Sequence, residues 1–338
     1  MMGYSRNVDR YRDALMCMWS DVFHDSEEYI SLFFDTYFNC DNCRVVMENG
    51  KVISMMFAIP YRFNVYGNGS LNGLYLCGLA TDVNYRGKGI MRRMIDDVNH
   101  DARLRGFDFS FLIPAGDSLR RYYNMSGYVD NIRRAAWFPE LSGMRGRLSK
   151  CSGDLVVEIK GGDDVLPFDV IPFLTDHELT LCCVNIIHSV CDWKAVIREW
   201  IMSGGFIAVV KNISDGCKKC VAFARRGNEG IVVNSYLSDS ADSVLFLLSW
   251  LEDNSRCGCI KVYDYPERAK TIASSVSADV HLEHYGMCRF LRDCEILKFP
   301  NDSMAVRKNQ NLTKFSERGE ILKSGEGLSQ IGISMMLD

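Results

Sequence analysis

The chain has 338 residues, 47% of them hydrophobic, and a formal net charge of −4. That length supplies core for two domains of about 150 residues each, and the slightly acidic balance does not suit a general nucleic-acid binder. No apolar run reaches the roughly 18 residues of a membrane span, and "MMGYSRNVDRYRDALMCMW" at the start lacks the apolar stretch of a secretory signal, so a reducing cytoplasm is expected.

Residues 8 to 38 read as helical, with Val8, Tyr11, Leu15, Met18, Val22 and Phe23 at three- and four-residue steps. Asp25-Ser26-Glu27-Glu28 offers an N-cap and an acidic first turn for a second helix, "EEYISLFFDTYF". From Cys43 to Thr81 four strands are expected, with an Asn-Gly hairpin at Glu48-Asn49-Gly50 and a second turn at Gly67-Asn68-Gly69. A helix from about Lys88 to Arg103 follows, then the short apolar strand "GFDFSFLIP". A short helix and turn in "DSLRRYYNMSGY" and a strand at "RRAAWFP" complete the order α-α-β-β-β-β-α-β-α-β. This is a mixed α/β sheet with one central strand–loop–helix unit.

"LSGMRGRLSKCSGDL", Leu141 to Leu155, is Gly/Ser-rich and basic and reads as a linker. Beyond it, "CDWKAVIREWIMSG" reads as a helix, "GFIAVVKN" and "KCVAFARRGNEGIVVNSYLS" as strands, "SADSVLFLLSWLEDNSR" as a helix and "CGCIKVYDYP" as a strand. The second half thus repeats the order strands, helix, strand. "SYLSDSADSV" stands where the first half has "GLATDVNYRGKGIM", and it has neither the Gly-x-Gly nor a cation. The expected organisation is a tandem duplication with a degenerate second copy: residues 1–145, residues 146–295, and a short tail 296–338.

Arg86-Gly87-Lys88-Gly89 opens the central helix. A helix start carries unpaired N–H groups and a partial positive charge, so it attracts anions. Glycines there let backbone amides approach a phosphate closely. The Walker pattern fails, because Gly89 is followed by Ile90, Met91 and Arg92, and the dinucleotide pattern fails, because Arg92 takes the place of the third glycine. On its own the loop is either a capped turn or an anion site.

The fourteen cysteines include two C-x-x-C pairs, Cys40/Cys43 and Cys217/Cys220, and the C-x-C pair Cys257/Cys259. The two knuckles stand far outside zinc-ribbon spacing. Free thiols are the plain reading, with zinc or a redox pair as alternatives, and no metal is assigned.

"LATDVNYRGKGIMRRMI" together with the downstream "YYNMSGY" resembles the coenzyme A motif and the Tyr-x-x-x-Gly-Phe/Tyr element of the GNAT N-acetyltransferase superfamily. Counted from Arg86, R-G-K-G-I-M departs from the strict R/Q-x-x-G-x-G/A form, whereas Y-R-G-K-G from Tyr85 fits a common form, with Val83 in place of its proline. The resemblance covers roughly residues 8 to 140. The bipartite length is similar to the enhanced-intracellular-survival (Eis) acetyltransferases.

The resemblance implies an acyl-CoA N-acyltransferase fold, acetyl-CoA as acyl donor, and direct attack by a substrate amine. Leu79, Ala80 and Thr81 would hold the pantetheine arm, and the amides of Arg86, Gly87, Lys88, Gly89, Ile90 and Met91 the pyrophosphate, with Arg92 adding charge. A backbone N–H near Leu79 or Ala80 would polarise the thioester carbonyl. Tyr123 takes the place of the family's general acid, with Tyr122 its neighbour and rival; a phenol is protonated at neutral pH and able to donate.

The Eis-like branch uses its terminal carboxylate as a helper base. Asp338 is the counterpart here, although the tail is too short for that branch's third domain. His24, Asp25, Glu27, Glu28 and Asp117 are the other candidates. The partner expected is a small-molecule or peptide amine, not a nucleic acid or a membrane, and self-association stays open. Two alternatives remain: a module that binds acetyl-CoA without turnover, and a tandem transferase of aminoacyl or other acyl groups.

Overall fold

The computed structural model describes residues 3–4, 8–65, 69–141, 154–161, 165–181, 184–254, 259–292 and 331–332. The turn at Gly67 and Asn68, most of the expected linker, nearly all of the tail and Asp338 lie outside these residues. The chain divides into two compact units. The first is built from residues up to Ile132 with the stretch that begins at Tyr285, and the second from Arg133–His284.

The first unit opens with a two-residue strand, β1 (Gly3–Tyr4), and the helices α1 (Arg12–Phe23) and α2 (Glu27–Tyr37). α1 stops at His24, whose backbone is left-handed with φ 61°. α2 starts on Ser26, whose side chain accepts a hydrogen bond from the Tyr29 N–H at 3.2 Å. This is the cap offered by the sequence. β2 (Cys43–Glu48) and β3 (Lys51–Val65) join through Asn49 and Gly50, with φ 51° and 80°, as an Asn-Gly hairpin requires. β4 (Gly69–Thr81) pairs antiparallel with β3 and parallel with β5 (Phe109–Leu112), with α3 (Ile90–Leu104) between β4 and β5 in the chain. α4 (Asp117–Asn124) and β6 (Val129–Trp137) follow.

Among the described residues three strands, not four, lie between α2 and α3. β3 runs unbroken through Pro60, the residue that invites a break in a sequence reading. Pro60 lies beyond Phe57, which pairs with Cys43 at the start of β2, so its missing N–H removes no bond to that strand.

In the second unit come β7 (Leu155–Lys160), α5 (Ile171–Glu178), β8 (Val184–Ile187) and α6 (Val190–Met202). β9 (Phe206–Asn212), β10 (Lys218–Arg226) and β11 (Ile231–Ser238) form an antiparallel run. α7 (Ala241–Asn254) leads to β12 (Ile260–Asp264), which lies parallel to β11, then to α8 (Pro266–Ser275) and β13 (Val280–Phe290). A short β14 (Ile331–Gly332) pairs with β8. α5 and α8 are absent from the sequence reading. Both are short, and α8 buries Pro266, Ala269, Ile272 and Ala273, a set too small-sided to make a strong apolar stripe.

Both units therefore follow one order: antiparallel strands, a helix, a parallel strand, a second helix. This is the mixed α/β fold expected, repeated in tandem. The strand that closes each unit is supplied by a distant part of the chain. In the first unit β13 lies antiparallel to β5, with Met287 opposite Leu112 and Phe290 opposite Phe109. In the second, the end of β6 lies antiparallel to β12, with Trp137 opposite Val262. Arg292, just past β13, donates to Asp108 at 2.7 Å, and the other oxygen of Asp108 accepts the Asn72 N–H.

A fragment of residues 1–145 would lack β13, leaving the β5 edge unpaired and removing the buried Met287, Cys288 and Leu291 from its core. We expect this fragment to aggregate or to melt without a cooperative transition, whereas residues 1–295 melt cooperatively, both followed by circular dichroism and gel filtration. A monomeric 1–145 fragment with a sharp melt would contradict the exchange of strands.

Candidate active site

β4 and β5 pair at Gly73 with Phe109, Leu74 with Ser110 and Tyr75 with Phe111. β4 then runs on to Thr81 while β5 ends at Leu112, so the two strands part. The parting coincides with a kink in β4. Its register with β3 slips by one residue between the pairs Phe57–Cys77 and Met55–Ala80, and Gly78 has a left-handed φ of 57°. This is a β-bulge, in which one residue is left out of the ladder and the strand turns. A Cβ on Gly78 would lie 2.5 Å from the ring of Trp19 in α1, so glycine is required by both φ and space. The next residue, Leu79, packs on the cluster that includes Ile90 and Met94 of α3 and Tyr123 of α4.

The end of β4 is held firmly. The buried Ser54 hydroxyl donates to the Ala80 carbonyl at 2.8 Å and lies 2.9 Å from the Thr81 hydroxyl. Asp82 returns its N–H to the Ile53 carbonyl at 3.0 Å and takes the Lys51 ammonium at 2.6 Å. That bond from Lys51, with the Asn84 N–H second, holds the Asp82 carboxyl below its usual range and raises the lysine.

The loop then gives the helix an open start. Gly87 and Gly89 have φ 75° and 71°, and nothing lies within 4 Å of where a Cβ would stand. Gly89 is the N-cap of α3 and brings no side chain to the amides of the first turn. The cations near them are engaged. Arg86 Nε donates back to the Thr81 carbonyl at 3.0 Å, Lys88 Nζ lies 4.5 Å from the Tyr85 ring centroid, and Arg92 donates to the Met125 carbonyl at 3.2 Å. Ile90 is buried, while Met91 packs beside Leu79 and Tyr122 on the same cluster.

Tyr123 is buried in that cluster, 6.2 Å from the Tyr128 ring and 5.4 Å from Tyr122. Burial raises its phenol well above the ordinary value, with Tyr122 and Tyr128 adding to the shift. It therefore stays protonated across the neutral and mildly alkaline range. Tyr128 itself is tied to Ser110 at 2.7 Å and to Asn99 at 3.2 Å. Arg289 of β13 braces the turn after Tyr123, donating to the Ser126 carbonyl at 2.8 Å and to Asp96 at 3.1 Å.

The structure thus gathers Leu79, Ile90, Met91 and Tyr123 around one cluster, with Ala80, Thr81 and the loop adjoining in sequence. Of the proposed bases, Asp25 is half-buried and accepts from the Trp19 indole at 2.7 Å. His24, Glu27, Glu28 and Asp117 are exposed. The bulge, Trp19, Ser54 and Arg289 are absent from the sequence reading. An isolated glycine inside the strand-like "YLCGLA" is the signal that marks the bulge.

The second unit treats the same position differently. β11 and β12 pair at three positions ending at Val233 and Val262. Past that point Arg268 of α8 bridges them, bonding Asp264 at 2.6 Å and the Tyr236 carbonyl at 3.0 Å, with its guanidinium 4.0 Å from the Tyr236 ring centroid. The Tyr236 hydroxyl donates to Asp264. Desolvation raises both the Asp264 carboxyl and the Tyr236 phenol, against the pull of Arg268. At the start of α7, Ser240 Oγ accepts the Ser243 N–H at 3.3 Å, so a side chain caps this helix.

Cys43 and Cys220 are buried, and burial pushes their thiols up to about 12, whereas Cys40 and Cys217 are exposed. Within each C-x-x-C pair one thiol is thus withheld from solvent. Among the described residues no group of three or more His, Cys, Asp or Glu is placed to hold a metal ion.

Residues 7–129 match the model of the acetyltransferase (GNAT) domain. The whole chain is similar in fold to a GCN5-related N-acetyltransferase from Anabaena variabilis, with TM-score 0.67, 14% identity, and coverage of 88% of this chain and 75% of that one. A GCN5-related N-acetyltransferase from Kribbella flavida gives TM-score 0.61 and 14% identity over 86% and 72% of the two chains. Eis1 from Mycobacterium abscessus gives TM-score 0.63 and 10% identity over 86% and 74%. At such identities the likeness is one of fold, and its extent is too large for either unit alone. No curated protein sequence matches the chain. The domain match spans the bulge, the open loop and Tyr123, so residues 7–129 carry the features of an acetyltransferase (GNAT) domain, and a second unit of the same strand order follows the first.

Proposed function

We propose that the protein is an acetyl-CoA-dependent N-acetyltransferase, working in the cytoplasm, that passes acetyl directly to a primary amine of a small molecule or peptide. The observation that carries this reading is the parting of β4 from β5 at a bulge, in line with a helix start that Gly89 leaves open. A slot beside a strand edge and an anion seat at its end suit an acyl thioester with a diphosphate.

In this reading the amides of Arg86 through Met91 receive the pyrophosphate. Arg86 and Lys88, drawn back onto Thr81 and Tyr85, leave those amides clear. Arg92 contributes charge from its place against Met125. Leu79, Ala80 and Thr81 line the pantetheine arm. Asp82 donates to Ile53, and the two-residue period of the ladder turns the Ala80 N–H toward β3 as well. Leu79, at the bulge, is therefore the better donor to the thioester oxygen.

The neutral amine attacks the carbonyl carbon, the C–N bond forms and the C–S bond breaks. Tyr123 gives its hydroxyl proton to the departing sulfur, and the proton lost from nitrogen passes to solvent or to a base. Because the phenol stays protonated, the rise of rate with pH belongs to deprotonation of the amine.

Acetyl-CoA is expected to raise the melting temperature of the protein, and a panel of amines to reveal thiol release; no shift at saturating acetyl-CoA would overturn the reading. Tyr123→Phe should lower kcat by at least about tenfold while the acetyl-CoA shift survives; unchanged turnover would remove Tyr123 from the mechanism. Gly89→Ala forces a side chain into a left-handed backbone at a cost of about 1–2 kcal/mol. It should weaken acetyl-CoA binding in a titration more than it lowers kcat at saturation.

A further inference from the structure

The turn after α4 is held from outside by Arg92 and Arg289. Arg92, in the first turn of α3, donates to the Met125 carbonyl at 3.2 Å, and Arg289 of β13 donates to the next carbonyl, that of Ser126, at 2.8 Å. This turn fixes the end of the helix that carries Tyr123: the N–H groups of Ser126 and Tyr128 both return to the Tyr123 carbonyl, at 2.9 and 3.2 Å. Among the described residues the Tyr123 hydroxyl makes no hydrogen bond, so its aim depends on the backbone that carries it and on the packing of its cluster. The glycine of the turn is shaped by the same guanidinium. Gly127 has a left-handed φ of 80°, and a Cβ there would lie 3.4 Å from Arg289 Nε. Arg289 is itself placed by the sheet: it stands opposite Ser110 of β5, whose hydroxyl lies 2.7 Å from the Tyr128 hydroxyl. Its other bond, to Asp96 of α3 at 3.1 Å, is an ion pair half open to water and of little energetic weight.

We propose that Arg289 is a positioning residue for the proton donor: by holding the Ser126 carbonyl it fixes the end of α4, and with it the aim of the Tyr123 hydroxyl at the departing sulfur. This rests on the acetyltransferase reading above and on the part Tyr123 plays in it. Arg92 holds the neighbouring carbonyl but also stands in the proposed diphosphate seat, so its loss would mix donor binding with positioning. Arg289 has no place in that seat and separates the two. Both of its bonds run through Nη1, so an ammonium can stand in for the guanidinium.

The test follows thiol release from acetyl-CoA by the full chain, with the fastest amine of the panel above as acceptor. Arg289→Met keeps the apolar stem and loses the donors. It should lower kcat about tenfold and leave the KM for acetyl-CoA within about twofold, while acetyl-CoA still raises the melting temperature of the variant. Arg289→Lys should restore most of the rate. In a Tyr123→Phe background the same Arg289→Met change should cost less than about twofold, because the group it positions is gone. An unchanged kcat in Arg289→Met, a loss equally large in the Tyr123→Phe background, or a lysine variant no faster than the methionine one would each overturn the proposal and leave the acetyltransferase reading standing. If Arg289→Met does not fold, Arg289→Gln, with a shorter donor, is read against the same outcomes. Unchanged turnover in Tyr123→Phe would overturn the proposal together with the role of that tyrosine. A wild-type protein that binds no acetyl-CoA would overturn the acetyltransferase reading and this one with it.

Discussion

One constraint organises the first unit: β4 must leave β5 after Tyr75, and Gly78 is where it turns. A β-bulge leaves one residue outside the ladder and bends the strand. Here the bend is fixed from several sides. Trp19 fills the space where any Cβ at Gly78 would stand, Ser54 holds the Ala80 carbonyl, and Arg86 holds the Thr81 carbonyl. The loop that follows inherits its direction from this end of β4, and with it the direction in which the first amides of α3 face. A glycine inside a strand loses more backbone entropy on ordering than other residues, and the packing of Trp19 and the polar ties of Ser54 offset that loss.

The second unit shows what the same strand order becomes without that constraint. β11 and β12 also part after three paired positions, but Arg268 spans the gap between Asp264 and the Tyr236 carbonyl. A charge pair buried with a stacked ring is costly to form and more costly to break, because removing one partner strands the other. The start of α7 is closed as well, by Ser240. Among the described residues the two differences agree: one unit leaves strand edge and helix start open, and the other satisfies both internally. The units remain joined in folding, since the strand beside β5 lies at residues 287–290 and the strand beside β12 at residues 135–137.

Local features were legible in the sequence and non-local ones were not. The Asn49-Gly50 hairpin, the Ser26 cap and the Gly87/Gly89 loop each depend on a few adjacent residues with special backbone preferences. They appear where the sequence puts them. The number of strands before α3 was not legible, because whether β3 continues through Pro60 depends on which neighbour needs its N–H. α8 was missed because small side chains bury little and leave a faint pattern. The pairing of β13 with β5 and the Arg289 brace on the turn after Tyr123 join residues more than 150 positions apart, and no periodicity records such a pairing. The candidate site divides the same way: its loop and tyrosine are sequence-local, while the bulge, Trp19 and Ser54 emerge only when β3, β4 and α1 meet.

The central claim is that the open edge of β4 and the open start of α3 form one donor seat, and that the second unit has none. Amide hydrogen exchange with and without acetyl-CoA tests it residue by residue. The account predicts slowed exchange at Leu79–Thr81 and Gly87–Met91, with no change at residues 236–241 of the second unit. Protection in the second unit, or no protection at the end of β4, would contradict it.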